Sequence, residues 1–178
     1  MSLLERTTKE TRVKVDMRPG KGNAKIDTGL PFLDHMMTAL ARYASLDLDL
    51  TATGDLRHHV IEDVAITIGE AFHRVLPANC ARYGDHTIPM DDALVHVSVD
   101  TGGRAHYAGH LPSSLYDHWM RSFAMSARIT LHVRVLAGND RHHIVEAGFK
   151  ALGFALHDSL VDTGAVFSTK GAVILGVD

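Results

Sequence analysis

The chain has 178 residues, 46% hydrophobic and 22% charged, a composition that can bury an ordinary core. Its formal net charge of -3, with Lys and Arg scattered, leaves no basic stripe to track a phosphate backbone, so nucleic acid is not an expected partner. Cys80 is the only cysteine, which excludes an intramolecular disulfide and a thiolate zinc site. No apolar stretch is long enough to cross a bilayer and MSLLERTTKETRV lacks a secretory pattern, so a cytoplasmic protein without membrane contact is expected.

In chain order, residues 12–17 (RVKVDM) alternate polar with apolar. The turn-forming run 19–23 and a short extended stretch to Ile26 follow, together predicting a hairpin. Residues 31–44 (PFLDHMMTALARYA) are a helix candidate, and 46–53 (LDLDLTAT) alternate again. From His58, apolar residues at Val60, Ile61, Val64, Ala65, Ile68, Ala71 and Phe72 have helical spacing. Strands are predicted at 94–100 (LVHVSVD) and 129–135 (ITLHVRV), and a helix over 142–160. The fold class is α+β, two similar sheet-and-helix units packed as layers around a shared core.

Residues 54–62 read GDLRHHVIE and 138–146 read GNDRHHIVE, an offset of 138 − 54 = 84 with Gly, Arg, both His and Glu identical. Half the chain is 89 residues, so the offset fits a tandem duplication, with half-repeats drawn at 1–94 and 95–178. On a helix, residues four apart share a face, so His58 pairs with Glu62 and His142 with Glu146. His59 and His143 are turned by about 100° from their neighbours and are available to a second ion. Imidazole with carboxylate and no thiolate suits Mn, Fe, Co or Zn. His35 and His132 are further ligand candidates, giving six His and two Glu for two sites of three His and one Glu each. His73, His86, His96, His106, His110, His118 and His157 lack a partner at ligand spacing and are read as surface or hydrogen-bonded residues.

The segments TTKET, TGLPFLDHM, GDL, HHVIED, RYGDHTIPMDDAL, DTGGR, LHV, GNDRHHIVEAGFKAL and STKG occur in this order over nearly the whole chain. In that order the sequence resembles the imidazoleglycerol-phosphate dehydratases of histidine biosynthesis. The resemblance implies two duplicated half-domains of the ribosomal protein S5 domain 2-like kind. It also implies two Mn2+ per subunit, held between subunits of a large homo-oligomer, an octahedral 24-mer built from trimers. The implied ligands are His35, His59, His142 and Glu146 for one ion, and His58, Glu62, His132 and His143 for the other. The implied contacts to a small phosphorylated imidazole substrate are Glu10, Arg82, Arg104, Ser168 and Lys170, the cations suiting a phosphate. For the arginines, a surface ion pair is the alternative. For Glu10, the implied acid/base, the alternative is a capping or surface role in the TTKE segment.

Dehydrating a glycerol side chain with no carbonyl to acidify its C–H bonds makes the imidazole the electron source. Metals on its ring nitrogens would favour an imidazolate that expels the neighbouring hydroxyl to a diazafulvene-like species, and proton loss then gives an enol that tautomerises to imidazole acetol phosphate. The chain departs from the usual family pattern at Arg57, the single residue between GDL and HH, and at Tyr43, where the family has histidine; the segment 75–84 is also irregular. Both Tyr43 and the short loop are expected to border the glycerol-phosphate pocket. Two other readings stand beside this one: a diverged relative acting on another small phosphorylated substrate, and a non-catalytic metal-binding assembly protein.

Overall fold

A computed structural model describes residues 1–165. The chain runs β1 (Ser2–Thr7), β2 (Thr11–Pro19), β3 (Ala24–Asp27), α1 (Pro31–Tyr43), β4 (Leu46–Gly54) and α2 (Arg57–Val75). It then repeats the series as β5 (Tyr83–Met90), β6 (Ala93–Asp100), β7 (His106–Ala108), α3 (Ser114–Ala127), β8 (Thr130–Ala137) and α4 (Arg141–Ser159). The two four-stranded sheets have the same order, β1-β2-β4-β3 and β5-β6-β8-β7. In each the last pair is parallel and the others antiparallel. The chain passes from one sheet-and-helix unit to the other between Val75 and Tyr83, whereas the seam drawn at 94/95 falls inside β6.

The predicted hairpin of 12–17 with the run to Ile26 does not form. Residues 24–27 pair in parallel with β4, and β1 takes the antiparallel place beside β2. The cause is α1, a crossover between β3 and β4, which parallel neighbours require. Asp47 holds the preceding loop over β4 by accepting the Lys21 and Asn23 backbone N–H groups at 3.1 and 3.0 Å.

Each sheet is apolar on one face only. In β2, Val13, Val15 and Met17 are buried while Arg12, Lys14 and Arg18 are exposed. In β8, Leu131 and Val133 are buried and His132 between them lies on the opposite face. The helices cover the apolar faces, and they pair across the two halves, α1 with α4 and α2 with α3. All seven apolar positions read as the helical stripe of α2 are buried there.

Two glycines set the helix crossings. A Cβ on Gly69 of α2 would lie 2.7 Å from the Phe123 carbonyl oxygen of α3. One on Gly153 of α4 would lie 2.7 Å from Tyr43 Cβ and 3.1 Å from the Leu40 carbonyl oxygen of α1. The positions are again 84 apart (153 − 69), so the duplication preserved the close approach as well as the histidines. Stacking of Trp119 on Phe123, with Phe149 4.7 Å from the indole, fills the centre of the helix layer.

Candidate metal centre

Because each helix pair joins an element of one half to an element of the other, polar groups at the helix ends meet across the seam. At the α1–α4 crossing, His35 Nε2 lies 3.1 Å and His142 Nε2 3.0 Å from the same atom, Glu146 Oε2. The other carboxylate oxygen accepts from Lys150 Nζ at 2.9 Å. The Glu146 side chain is only 7% exposed, whereas the two imidazoles are about half exposed, so the carboxylate is the floor of a cluster open to solvent. Burial alone would raise the Glu146 carboxyl, but the hydrogen bonds and charge of Lys150 and His35 outweigh it and hold it below its ordinary value.

The α2–α3 crossing carries the equivalent arrangement. His58 Nε2 is 3.4 Å from Glu62 Oε2, and His118 Nε2 is 3.3 Å from Glu62 Oε1. His118, expected from sequence to be a surface or hydrogen-bonded residue without a partner at ligand spacing, is the third member of this cluster. Its helix, α3, was not anticipated either. A signal was present, since Asp34-His35 recurs as Asp117-His118 at an offset of 83 (117 − 34). Both aspartates anchor the start of their helices: Asp34 accepts from the Thr28 N–H and hydroxyl, and Asp117 from the Leu111 N–H and the Tyr107 hydroxyl.

The outer members of the His-His pairs diverge as helix geometry requires, their rings 6.0 and 5.9 Å from their neighbours and nearly perpendicular to them. His59 does not join His35, His142 and Glu146 within the chain. Its Nδ1 is 2.8 Å from Asp55 Oδ1, with Glu10 Oε2 at 3.7 Å. His143 Nδ1 is likewise 2.8 Å from Asp92 Oδ1. These carboxylates raise both imidazoles above the ordinary value, chiefly through the hydrogen bonds from Asp55 and from Asp92. A carboxylate on Nδ1 favours the proton there and leaves Nε2 to ligate, the usual outer partner of a metal-bound histidine, although His143 Nε2 also lies 3.3 Å from Asp91 Oδ2. His132 stands on the outer face of its sheet, beside His106 with ring centroids 5.7 Å apart. Among the described residues, neither it nor His143 is gathered with His58 and Glu62.

The donor set fits a divalent transition ion. Two imidazole nitrogens aimed at one buried carboxylate oxygen form the start of a coordination shell, open on the solvent side for further ligands.

Of the positions implied for substrate, Glu10 lies in the β1–β2 turn, where its backbone N–H donates to the Thr8 hydroxyl. Arg82 pairs with Asp100 through two hydrogen bonds, 2.6 Å from Nε and 3.0 Å from Nη2, so the ion-pair alternative describes its contacts. Its backbone is in the left-handed region at φ 73°, an unfavourable place for a residue with a side chain. Asp100 also accepts the Gly102 N–H and feels the charge of Arg104, so the two arginines gather around one carboxylate. Ser168 and Lys170 lie outside the described residues. Tyr43 packs on Phe154 in the α1–α4 seam, ring centroids 4.9 Å apart. The short 54–57 loop lines an open groove with residues 27–30 of the β3–α1 connection.

Comparison with known proteins places this geometry. The sequence profile of the family described as imidazoleglycerol-phosphate dehydratase matches residues 28–156. The imidazoleglycerol-phosphate dehydratase of Kineococcus radiotolerans is 44% identical, the alignment covering 96% of this chain and 97% of that protein. That of Solidesulfovibrio magneticus is 45% identical over 94% and 95%. Among solved structures, IGPD from Pyrococcus furiosus in complex with (S)-C348 superposes with a TM-score of 0.88 at 41% identity, covering 96% of this chain and 100% of that one. The dehydratase from Staphylococcus aureus gives a TM-score of 0.80 at 31% identity, covering 90% and 98%. With a matching profile over most of its length, relatives aligned almost end to end and the same two-sheet fold, the chain belongs to the imidazoleglycerol-phosphate dehydratase family.

Proposed function

We propose that the chain is a cytoplasmic hydro-lyase that dehydrates D-erythro-imidazoleglycerol phosphate to imidazole acetol phosphate in histidine biosynthesis, using two Mn2+ per subunit. The observation that carries the reading is the convergence of His35 and His142 on Glu146 Oε2 in a chain of this family. In the proposed ligand sets, His35, His59, His142 and Glu146 hold one ion, and His58, Glu62, His132 and His143 the other. His59, His132 and His143 are turned away from their own chain's clusters, which supports ions shared between copies in a large homo-oligomer, proposed as a 24-mer of trimers.

When bound, the ions supply Lewis acidity that favours the anionic form of the substrate imidazole, the electron source for loss of the hydroxyl. Glu10 gives a proton to that hydroxyl as the C–O bond breaks, so that water leaves, and takes one from the adjacent carbon, leaving an enol that isomerises to the ketone. Arg82 and Arg104, with Ser168 and Lys170, bind the phosphate; for Arg82 this requires exchanging Asp100 for phosphate oxygens.

The test is metal analysis of the chain purified without chelator, together with turnover of imidazoleglycerol phosphate. Two ions per subunit and measurable dehydration are expected, with His142→Ala losing one ion and weakening the other. A His142→Ala chain that keeps full metal and full activity removes the ligand assignment, and a metal-loaded natural chain without turnover removes the reaction.

A further inference from the structure

The turn that carries Glu10 is anchored by a buried polar group that the equivalent turn of the second half lacks. Asp63 of α2 is 8% exposed; its Oδ1 accepts from Arg6 Nε at 2.9 Å and its Oδ2 from the Thr11 hydroxyl. Thr11 has one hydroxyl proton and gives it to Asp63, so in the 3.2 Å contact between the Thr8 and Thr11 hydroxyls the donor is Thr8. Thr8 Oγ1 in turn accepts the Glu10 and Thr11 N–H groups at 3.1 and 3.0 Å. A directed chain thus runs from the Glu10 backbone through two hydroxyls to a buried carboxylate. The Glu10 carbonyl is held separately, accepting the Asp55 N–H at 3.1 Å.

The second half makes the same join without charge. Arg6 faces Val13 across the β1–β2 pair as Ile88 faces Val95 across β5–β6, and Thr11 and Ala93 open β2 and β6, an offset of 82 in both cases (88 − 6, 93 − 11). Asp63 corresponds to Ala147 at the helix offset of 84 (147 − 63). Arg6, Thr11 and Asp63 are therefore Ile88, Ala93 and Ala147 in the second half, all packed into the core. A buried ion pair is often no better for stability than apolar residues of similar volume, so the polar trio has another use. Asp92, equivalent to Glu10 (92 − 10 = 82), ties down its own turn by accepting the Asn139 and Asp140 N–H groups. The Glu10 side chain is 56% exposed, with His59 Nδ1 3.7 Å away, and among the described residues its carboxylate accepts no hydrogen bond. Its turn is anchored from behind instead, which leaves the carboxylate free.

We propose that Asp63 is a positioning residue for Glu10, fixing through Thr11 and Thr8 the turn that presents the Glu10 carboxylate to substrate. The inference rests on the reading of Glu10 as the acid/base, and a double-mutant cycle separates the two. Steady-state kinetics with imidazoleglycerol phosphate are measured on the full Mn2+-loaded chain, on Thr11→Ala and on Thr11→Ser. A triple variant, Arg6→Ile with Thr11→Ala and Asp63→Ala, copies the apolar trio of the second half and leaves no buried charge unpaired. Each is made again in the Glu10→Gln background. Thr11→Ala and the triple variant are expected to lower kcat about 10- to 100-fold, the effect of misplacing a reacting group by about 1 Å, with KM changed less than about threefold. Thr11→Ser keeps the hydroxyl and is expected to recover most of that loss. In the Glu10→Gln background the same substitutions are expected to cost less than about twofold, because the group they position is gone. An equal loss in both backgrounds, or an unchanged kcat in the triple variant, overturns the proposal. Unchanged turnover in Glu10→Gln alone overturns the acid/base reading first and this inference with it.

Discussion

Replacing Lys150 by methionine tests the α1–α4 cluster without touching a proposed ligand. Methionine keeps an apolar stem and removes the ammonium, together with its place 5.9 Å from the Tyr43 ring centroid. What is left is Glu146 Oε1 with no donor, on a side chain 7% exposed, while Oε2 still faces His35 and His142. A lost hydrogen bond to a charged group costs about 1.5–3 kcal/mol, and removing one partner of a fully buried ion pair costs about 3–5 kcal/mol. With the lysine side chain 20% exposed and two imidazoles still at the carboxylate, the lower range applies and we expect about 2 kcal/mol. For a chain of this size that lowers Tm by roughly 4–8 °C. The folded pKa of Glu146 lies below 4.5, so its carboxylate stabilises the fold above that pH and the contribution fades as pH falls through the folded value. Without Lys150 the burial penalty is less well offset and the lowering shrinks. The gap between natural and variant chains should therefore be widest near neutral pH and close in acid. The assay is thermal unfolding in chelator at fixed protein concentration, near pH 7 and near pH 4. A gap below about 0.5 kcal/mol at neutral pH, the size of an ordinary surface substitution, or an equal gap at both values refutes the reasoning.

Glu10→Gln should lower turnover by at least about 100-fold while metal content and assembly persist, measured by steady-state kinetics with metal analysis on the same sample; unchanged turnover returns Glu10 to a turn residue. Asp92 is held down to about 2, first by the Asn139 N–H and then by His143 and the Asp140 N–H, so its stabilising effect is complete above 3.8 and fades as pH falls through about 2. Asp92→Asn should flatten the acid limb of stability in that window when unfolding is followed by circular dichroism, and coincident limbs in the two chains would contradict the assignment.

Much of the candidate site was legible in the sequence because its signals are local. The four-residue spacing of His58 with Glu62 and of His142 with Glu146 is a property of a single helix, and the repeat at an offset of 84 exposed both copies together. What could not be read is what depends on neighbours far along the chain. The run to Ile26 carries no mark that says whether it pairs with the strand before it or with one beyond a crossover helix. His118 meets Glu62 only because α3 crosses α2 at Gly69, a contact set by tertiary packing. His132 sits in a strand whose alternation fixes its face once the buried side is known, and the alternation alone does not say which side that is. Tyr43 illustrates the same limit, since its contact with Phe154 follows from the Gly153 crossing.

The duplication also bears on why neither half forms either three-residue cluster alone. Each three-residue cluster takes one histidine from a helix of one half and a His-Glu pair from the other half, so fusing the halves created both clusters at once. The same step left a pair of histidines, His59 and His143, that helix geometry turns away from those clusters and that Asp55 and Asp92 hold with Nδ1 occupied. Each is a partly exposed imidazole fixed beside a carboxylate at a helix start and turned from its own chain's cluster. In the proposed enzyme its use is to complete a cluster on another copy, and His132, set on the outer face of a sheet, is placed for the same task. On that reading the unpaired ligands and the assembly are one feature, because a chain that cannot close its own coordination shells closes them only by association.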